Sequence, residues 1–383
     1  MIAIYIAQFI SALADNALLF AAIALLKSLA TPEWQIPMLQ EFFVAAFILL
    51  APFVGPFADG FPKDRVMLIA NMLKLFGAAS MFAGVNPLVA YGIVGIGAAA
   101  YSPAKYGILS ELVSAEKLVK ANGLMEGSTI VAILLGAVLG GKLANISVSI
   151  ALISICGCYF LAAIANTFIP RLAVARPDTK LQMLKLSKEF FEALKILSFN
   201  KDARFSLIGS SIFWGTGSTM RLLLVAWVPI ALNSTDLSLP ANLSGAIAIG
   251  IAFGAALAAK FVTLKNINRV LPAGLLIGIL IMLFAHASHL YTTIALLILI
   301  GAAGGFYLVP LNALLQESGH KTVGAGNAVA VQNFFENISM MALVGLYILM
   351  QKLNLSAATS AFIFGGLIFC AIGMWAFKRL YRN

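Results

Sequence analysis

The sequence predicts an all-α integral membrane protein whose twelve spanning helices form two pseudo-symmetric six-helix bundles. Three observations carry this reading. The first is apolarity. Of 383 residues, 61% are hydrophobic and 10% charged, against roughly 25% charged in a soluble domain. The mean hydropathy is +0.98. A water-soluble fold of this length cannot bury that much apolar surface, whereas a bilayer solvates it. The second is segmentation into apolar runs of the length that crosses a bilayer. The third is an internal similarity at a shift of 206 residues.

The runs lie near 3–27, 38–59, 66–86, 88–110, 121–142 and 148–169, then near 205–232, 241–263, 270–288, 290–315, 324–350 and 356–377. Each is long enough for one helix through the hydrocarbon core. The chain enters the first run at Ile2, without the basic segment and small-residue cleavage site of a secretory signal, so no cleavable signal is expected. The divisions are 1–170 as an N-terminal six-helix bundle, 171–204 as a cytoplasmic linker and 205–383 as a C-terminal six-helix bundle. Within the linker, Met183, Leu186, Phe190, Leu194 and Leu197 recur at spacings of three and four, with Lys185, Lys188, Glu192 and Lys195 on the other face. That pattern predicts an amphipathic helix over 181–199 lying in the membrane interface. Its expected role is to tether the halves, with lipid sensing the sharper alternative.

Basic residues orient the spans. Lys63, Arg65, Lys117, Lys120, the eight Lys and Arg of 171–204, Lys260, Lys265, Arg269, Lys321, Lys378, Arg379 and Arg382 fall on one side. Only Lys27, Lys142 and Lys352 fall on the other. Both termini and the linker are therefore expected in the cytoplasm. The net charge of +10 is dispersed through short loops and forms no basic patch with interleaved aromatics, which argues against a nucleic-acid partner. Cys156, Cys158 and Cys370 sit inside apolar runs with no metal or disulfide spacing, so neither metal nor cofactor is expected. No nucleophile elbow, zinc motif or H-x4-D pair appears around His286, His289 or His320, so the chain reads as a carrier and not an enzyme.

The halves align through GIGAAAYSPAKYGILSE, Gly95 to Glu111, and GAAGGFYLVPLNALLQE, Gly301 to Glu317. Parallel repeats of six helices are the sequence mark of the major facilitator fold. Small residues at Gly123, Gly127, Gly136 and Gly140 in the fifth span are spaced for close helix packing.

Charges inside spans cost at least ~2.5–3.5 kcal/mol near the bilayer centre and face protein or a wet cavity. Asp15, Glu41, Lys74, Lys105, Glu126, Arg221 and Glu336 qualify. Asp15 and Arg221 are related by the 206-residue shift, so they take equivalent positions in the two halves. They are candidates for an ion pair, for a zwitterion site with Asp15 on an ammonium and Arg221 on a phosphate, or for a gate that does both. Lys105 and Glu126, near the same end of adjacent spans, are candidates for a salt bridge, in which Lys120 is an alternative, or for a substrate contact. Lys74 either snorkels or pairs with Asp15 or Glu126. Gln332, Asn333, Glu336 and Asn337 form a polar band, read as helix-to-helix hydrogen bonding, with a proton site as the alternative. Glu41, near the outer face, carries little weight.

The loop from Gly55 to Arg65, GPFADGFPKDR, resembles the GxxxD…(R/K) signature of major facilitators. The resemblance implies that Asp59, Lys63 and Arg65 latch the cytoplasmic helix ends, although Pro62–Lys63 stands where Gly-Arg is usual. Longer stretches, AQFISALADNALLF, APFVGPFADGFPKDRVM, YSPAKYGILSEL, KLVKANGLMEGSTIVAILLG, MRLLLVAWVP and VPLNALLQESGHKTVGAGNAVAVQNFFEN, resemble the bacterial lysophospholipid transporter family over nearly the whole chain. That resemblance implies an inner-membrane flippase moving lysophosphatidylethanolamine and lysophosphatidylglycerol from outer to inner leaflet by alternating access. It also implies a separate acyltransferase/acyl-ACP synthetase as functional partner, and a monomer among membrane lipids. Asp15, Lys105 and Arg221 in an apolar bundle suit a substrate with a charged head and one apolar tail. The competing expectation is a proton-coupled exporter of amphipathic drugs on the same fold, with Asp15 or Glu336 as the titrating acid.

Overall fold

The computed structural model describes residues 2–112, 115–170, 183–236, 238–323 and 325–381. Every regular element among them is helical. The chain divides into two compact units, Met1–Phe191 and Glu192–Asn383.

The first unit holds α1 (Ile2–Ser28), α2 (Gln35–Gly60), α3 (Lys63–Ser80), α4 (Pro87–Leu112), α5 (Ala115–Ile146) and α6 (Val148–Thr167). α1 packs on α5 and α6, α2 on α4, and α3 on both α4 and α6. The second unit holds α8 (Lys201–Ala231), α9 (Ser238–Phe261), α10 (Leu271–Phe284), α11 (Leu290–His320), α12 (Ala325–Lys352) and α13 (Ala357–Tyr381). There α8 packs on α12 and α13, α9 on α11, and α10 on both α11 and α13. The second set is the first with every helix moved on by seven places. The 206-residue repeat is therefore a repeat of packing as well as of sequence.

α7 (Met183–Phe199) falls across the boundary between the units. Phe190, Ala193 and Leu197 are buried, while Lys185, Lys188, Glu192 and Lys195 are exposed, so one face is apolar and covered as the spacing predicts. It stops at Asn200, whose side-chain oxygen accepts from the backbone N–H groups of Asp202 (3.0 Å) and Ala203 (2.9 Å) and caps α8. Residues 171–182 of the linker lie outside the described residues.

Two spans stop short of expectation, while α5 and α11 run past it. The third was expected to reach residue 86 but ends at Ser80. A turn follows, closed by Gly84 at φ 78°, a backbone conformation that glycine adopts without a Cβ penalty. Asn86 then accepts from the Leu88 N–H at 2.9 Å, and Pro87 opens α4 at a position where its missing N–H costs nothing. The ninth run was expected to begin at 270 but is preceded by a 3-10 segment, Leu264–Val270, started by a reciprocal Thr263–Asn266 capping box. α10 ends at Phe284, four residues short of expectation.

Among the described residues, nine helices are long and apolar enough to cross a membrane on their own. The remaining members of the twelve are α3, α5 and α8. α3 carries Lys63, Asp64, Arg65 and Lys74. α8 carries Lys201, Asp202, Arg204 and Arg221 together with a polar stretch over 209–219. Outward faces keep large apolar side chains exposed, such as Phe76, Ile153 and Met374, as lipid contact permits. Where helices meet, glycines bring backbones together. A Cβ on Gly250 would strike the Ile298 carbonyl, one on Gly254 the Ala302 carbonyl, one on Gly301 the Ile247 carbonyl and one on Gly305 the Ile251 carbonyl. α9 and α11 are thus in backbone contact at four points over about two turns of each helix. In the first unit, Gly136 and Gly140 of α5 seat against Leu13 and Ala17 of α1 in the same way, which is the close packing their spacing predicts.

Candidate functional site

The first unit contains a buried polar cluster built by four helices. Lys74 of α3 donates from Nζ to Asp15 Oδ2 of α1 at 2.7 Å and to Ser11 Oγ, one turn earlier on α1, at 3.1 Å. The Ser11 hydroxyl donates to Asn71 Oδ1 at 2.7 Å, and Asn71 precedes Lys74 by one turn of α3. Tyr159 of α6 donates to the second Asp15 oxygen, Oδ1, at 2.8 Å. Tyr101 of α4 places its ring face 4.9 Å from the Lys74 ammonium, within cation–π range. Of the partners the sequence offers Asp15 and Lys74, the structure joins these two to each other.

The electrostatics follow from this geometry. An ion in a low-dielectric interior loses several kcal/mol of hydration, recovered only when its partner and the surrounding hydrogen bonds are well placed. Here each ion has an opposite charge and at least one further polar contact, and the cluster sums to zero charge. The pair is not sealed. Lys74 exposes 2% of its side chain, but Asp15 exposes 20%, so the acid is the accessible member. α4 makes room for the lysine stem at Gly97, where a Cβ would sit 2.7 Å from Lys74 Cγ and 2.7 Å from the Ala70 carbonyl oxygen. One turn before Ser11 on the same helix, Gln8 Nε2 donates to Thr129 Oγ1 of α5 at 3.0 Å, extending the polar seam.

Other residues singled out in the sequence fall as follows. Lys105 is buried in α4. The side chains of Asp59 and Glu126 lie outside the described residues. Lys63 opens α3 and is buried, whereas Arg65 is exposed. Their neighbour Asp64 is also buried in the first turn of α3, where a carboxylate is favoured by the helix dipole. Glu41 of α2 is half-buried.

In the second unit, Arg221 is half-buried in α8. The expected band on α12 resolves into two faces. Gln332 and Glu336 are buried; Gln332 Nε2 donates to Glu336 Oε1 at 2.7 Å and to Asn312 Oδ1 of α11 at 2.8 Å. Asn333 is exposed, and Asn337 turns its amide back to the Asn333 carbonyl at 2.7 Å. Helix geometry explains the split: 332 and 336 share one face, 333 and 337 the next, about 100° away. Gln332 and Asn312 form a helix-to-helix hydrogen bond, and Asn333 and Asn337 take no part in it.

The sequence reading did not single out Ser11, Asn71, Tyr101, Tyr159 or Asn312. Spacing points to two of them, since Ser11 lies four residues before Asp15 and Asn71 three before Lys74, on the same faces. Tyr101 is flagged by the repeat, because the 206-residue shift places it on Tyr307, which is also fully buried. No group of His, Cys, Asp and Glu among the described residues is arranged to hold a metal ion.

A family model described as the Major Facilitator Superfamily matches residues 4–343. The lysophospholipid transporter LplT of Escherichia coli O127:H6 is 53% identical over 382 residues, covering 100% of this chain and 96% of that protein. The lysophospholipid transporter LplT of Photorhabdus laumondii is 51% identical over 384 residues, again covering 100% and 96%. Among solved structures, a mutant of the nucleoside transporter NupG superposes with a TM-score of 0.75 at 15% identity, covering 98% of this chain and 99% of its own. The human organic anion transporter MFSD10 does so at 0.67 and 16% identity, covering 97% of each chain; at such identities these two speak to the fold alone. With a full-length match at this identity and a fold shared with solved facilitators, the chain belongs to the Major Facilitator Superfamily and, within it, to the lysophospholipid transporters.

Proposed function

We propose that this transporter takes lysophosphatidylethanolamine and lysophosphatidylglycerol from the outer leaflet of the bacterial inner membrane and releases them in the inner leaflet by alternating access. A separate acyltransferase/acyl-ACP synthetase then restores the second acyl chain, and the carrier itself works as a monomer without catalysis of its own. One observation carries the reading. In a half whose helices are largely apolar, a neutral acid–base pair is buried, with the carboxylate its more open member. A lysophospholipid presents the complementary chemistry, a polar head on a single apolar tail. In this reading Asp15 meets the cationic part of a zwitterionic head, Arg221 takes the phosphate through its forked donors, and Lys105 adds a further positive charge. Asp59, Lys63 and Arg65 act as the latch that holds helix ends together during the cycle.

The test is uptake of fluorescent lysophosphatidylethanolamine into proteoliposomes holding the purified protein. Neutralising Asp15 or Arg221 is expected to lower the rate at least tenfold at equal reconstitution. Full activity in both variants would overturn the headgroup assignment. A protonophore is expected to leave lysolipid movement unchanged, whereas proton-coupled export of amphipathic drugs would stop.

A further inference from the structure

The Asp15–Lys74 pair poses a question of charge. Lysophosphatidylethanolamine is zwitterionic with no net charge, whereas lysophosphatidylglycerol carries a net charge of minus one. A lone carboxylate in an apolar half would repel the second, because like charges a few ångströms apart in a medium of low effective dielectric interact by several kcal/mol. Lys74 removes that repulsion. It sits 2.7 Å from Asp15, is itself 1% exposed as a residue, and is held from three sides by Ser11, Asp15 and the Tyr101 ring.

The surroundings of Lys74 leave it partners when Asp15 is drawn elsewhere. Ser11 Oγ and the Tyr101 π-face remain as partners independent of Asp15. Behind them, the Tyr101 hydroxyl and the Asn71 amide nitrogen are buried and neither makes a hydrogen bond of standard geometry among the described residues. Asn71 lies one turn before Lys74 on α3, and the Tyr101 ring lies against the ammonium. The second half has no equivalent: the 206-residue shift places the apolar Leu280 on Lys74.

We infer that Lys74 sets the headgroup charge that this transporter tolerates, acting as an internal counter-ion that lets one carboxylate site accept both anionic and zwitterionic lysophospholipids. Its role is positioning and specificity, with Ser11, Asn71 and Tyr101 as the groups that hold it. The inference rests on the placement of Asp15 at the headgroup under the proposed function.

The experiment measures proteoliposome uptake of lysophosphatidylethanolamine and lysophosphatidylglycerol in parallel and reads their ratio. In Lys74→Met, which keeps the stem and loses the charge, the ratio is expected to rise at least tenfold in favour of the zwitterion. Asp15→Asn leaves the lysine uncompensated and is expected to move the ratio the opposite way. The double variant is neutral again but lacks the Asp15 contact to the ammonium, so its ratio is expected to fall between those of the two single variants, whereas Lys74→Arg is expected to stay within about twofold of wild type. For any variant too slow for uptake, the same ratio is read from the melting-temperature shift that each lysolipid induces in purified protein. A ratio unchanged in both single variants would overturn the inference and reduce Lys74 to a structural ion. Failure of the wild-type protein to move either lysolipid would instead overturn the proposed function, so the two failures are distinguishable.

Discussion

At the scale of single residues, the balance of the Asp15–Lys74 pair bears on stability as well as on the proposed selectivity. Removing one member of a buried ion pair leaves the other charged and unpaired, at ~3–5 kcal/mol, whereas removing both can be close to neutral. Asp15→Ala is therefore expected to lower the melting temperature of the detergent-purified protein more than the Asp15→Ala/Lys74→Met double variant does. An equal or larger loss in the double variant would show that the pair is not the unit of stability. Tyr159→Phe removes the donor to Asp15 Oδ1. A hydrogen bond to a charged group contributes about 1.5–3 kcal/mol, so a smaller fall than for Asp15→Ala is expected in the same assay. The acid was legible in the sequence because a carboxylate in the middle of an apolar run has few explanations. Its pairing with Lys74 was legible only as one of two choices, because Lys74 had both Asp15 and Glu126 as candidates. Choosing among them requires the rotation of α1 against α3, which periodicity does not specify. Gly97 shows the limit most clearly: its role is to leave space for the Lys74 stem on another helix, and nothing around it in sequence marks that.

At the scale of elements, glycines range from those set against a neighbouring backbone to those that touch nothing. The α9–α11 contact is the sharpest case, since Gly250, Gly254, Gly301 and Gly305 alternate between the two helices and each faces a carbonyl of the other. In lipid, helices associate through this kind of close packing and not through exclusion of water. A side chain there forces the pair apart, and overpacking of a fitted interface costs about 1–3 kcal/mol or more. Gly254→Leu is expected to abolish recovery of folded protein in detergent, as judged by size-exclusion profile. Gly157→Leu on α6 and Gly217→Leu on α8 are expected to leave the profile unchanged, because a Cβ at either meets nothing within 4 Å. A normal profile for Gly254→Leu would refute the packing account. Most helix centres were legible, as apolar runs must be helices in a bilayer, but helix ends were not always. α3 stops at a glycine-closed turn inside a stretch that is still apolar, and α10 starts after a capped 3-10 segment in the polar connection before it, both set by local backbone chemistry. The polar residues of α12 lie between these cases. Their division into a buried pair and a more open pair follows from the helical period alone, while the choice of buried pair depends on where Asn312 of α11 stands.

At the scale of the whole molecule, each half packs its six helices in the same pairwise order, so a single pattern is used twice with different polar contents. The first half buries an acid with a base; the second carries Arg221 at the position of Asp15 and leucine at that of Lys74. A repeat that preserves packing while exchanging charge suits the proposed zwitterionic head, whose two ends have opposite sign. The loops add a direction. Arg and Lys crowd the connections after α2, α4, α9 and α11, the linker and the C-terminal tail, and leave Lys27, Lys142 and Lys352 on the other side. Because cationic loops are retained in the cytoplasm, both termini and the linker are predicted there. Substituting Cys156, Cys158 and Cys370 by serine gives a background without thiols. Single cysteines at Lys265 and at Leu353 then report opposite faces. In intact spheroplasts a membrane-impermeant maleimide is expected to label the cysteine at 353 and to spare that at 265 until the membrane is opened. The reverse pattern would invert the predicted direction of lipid movement along with the topology.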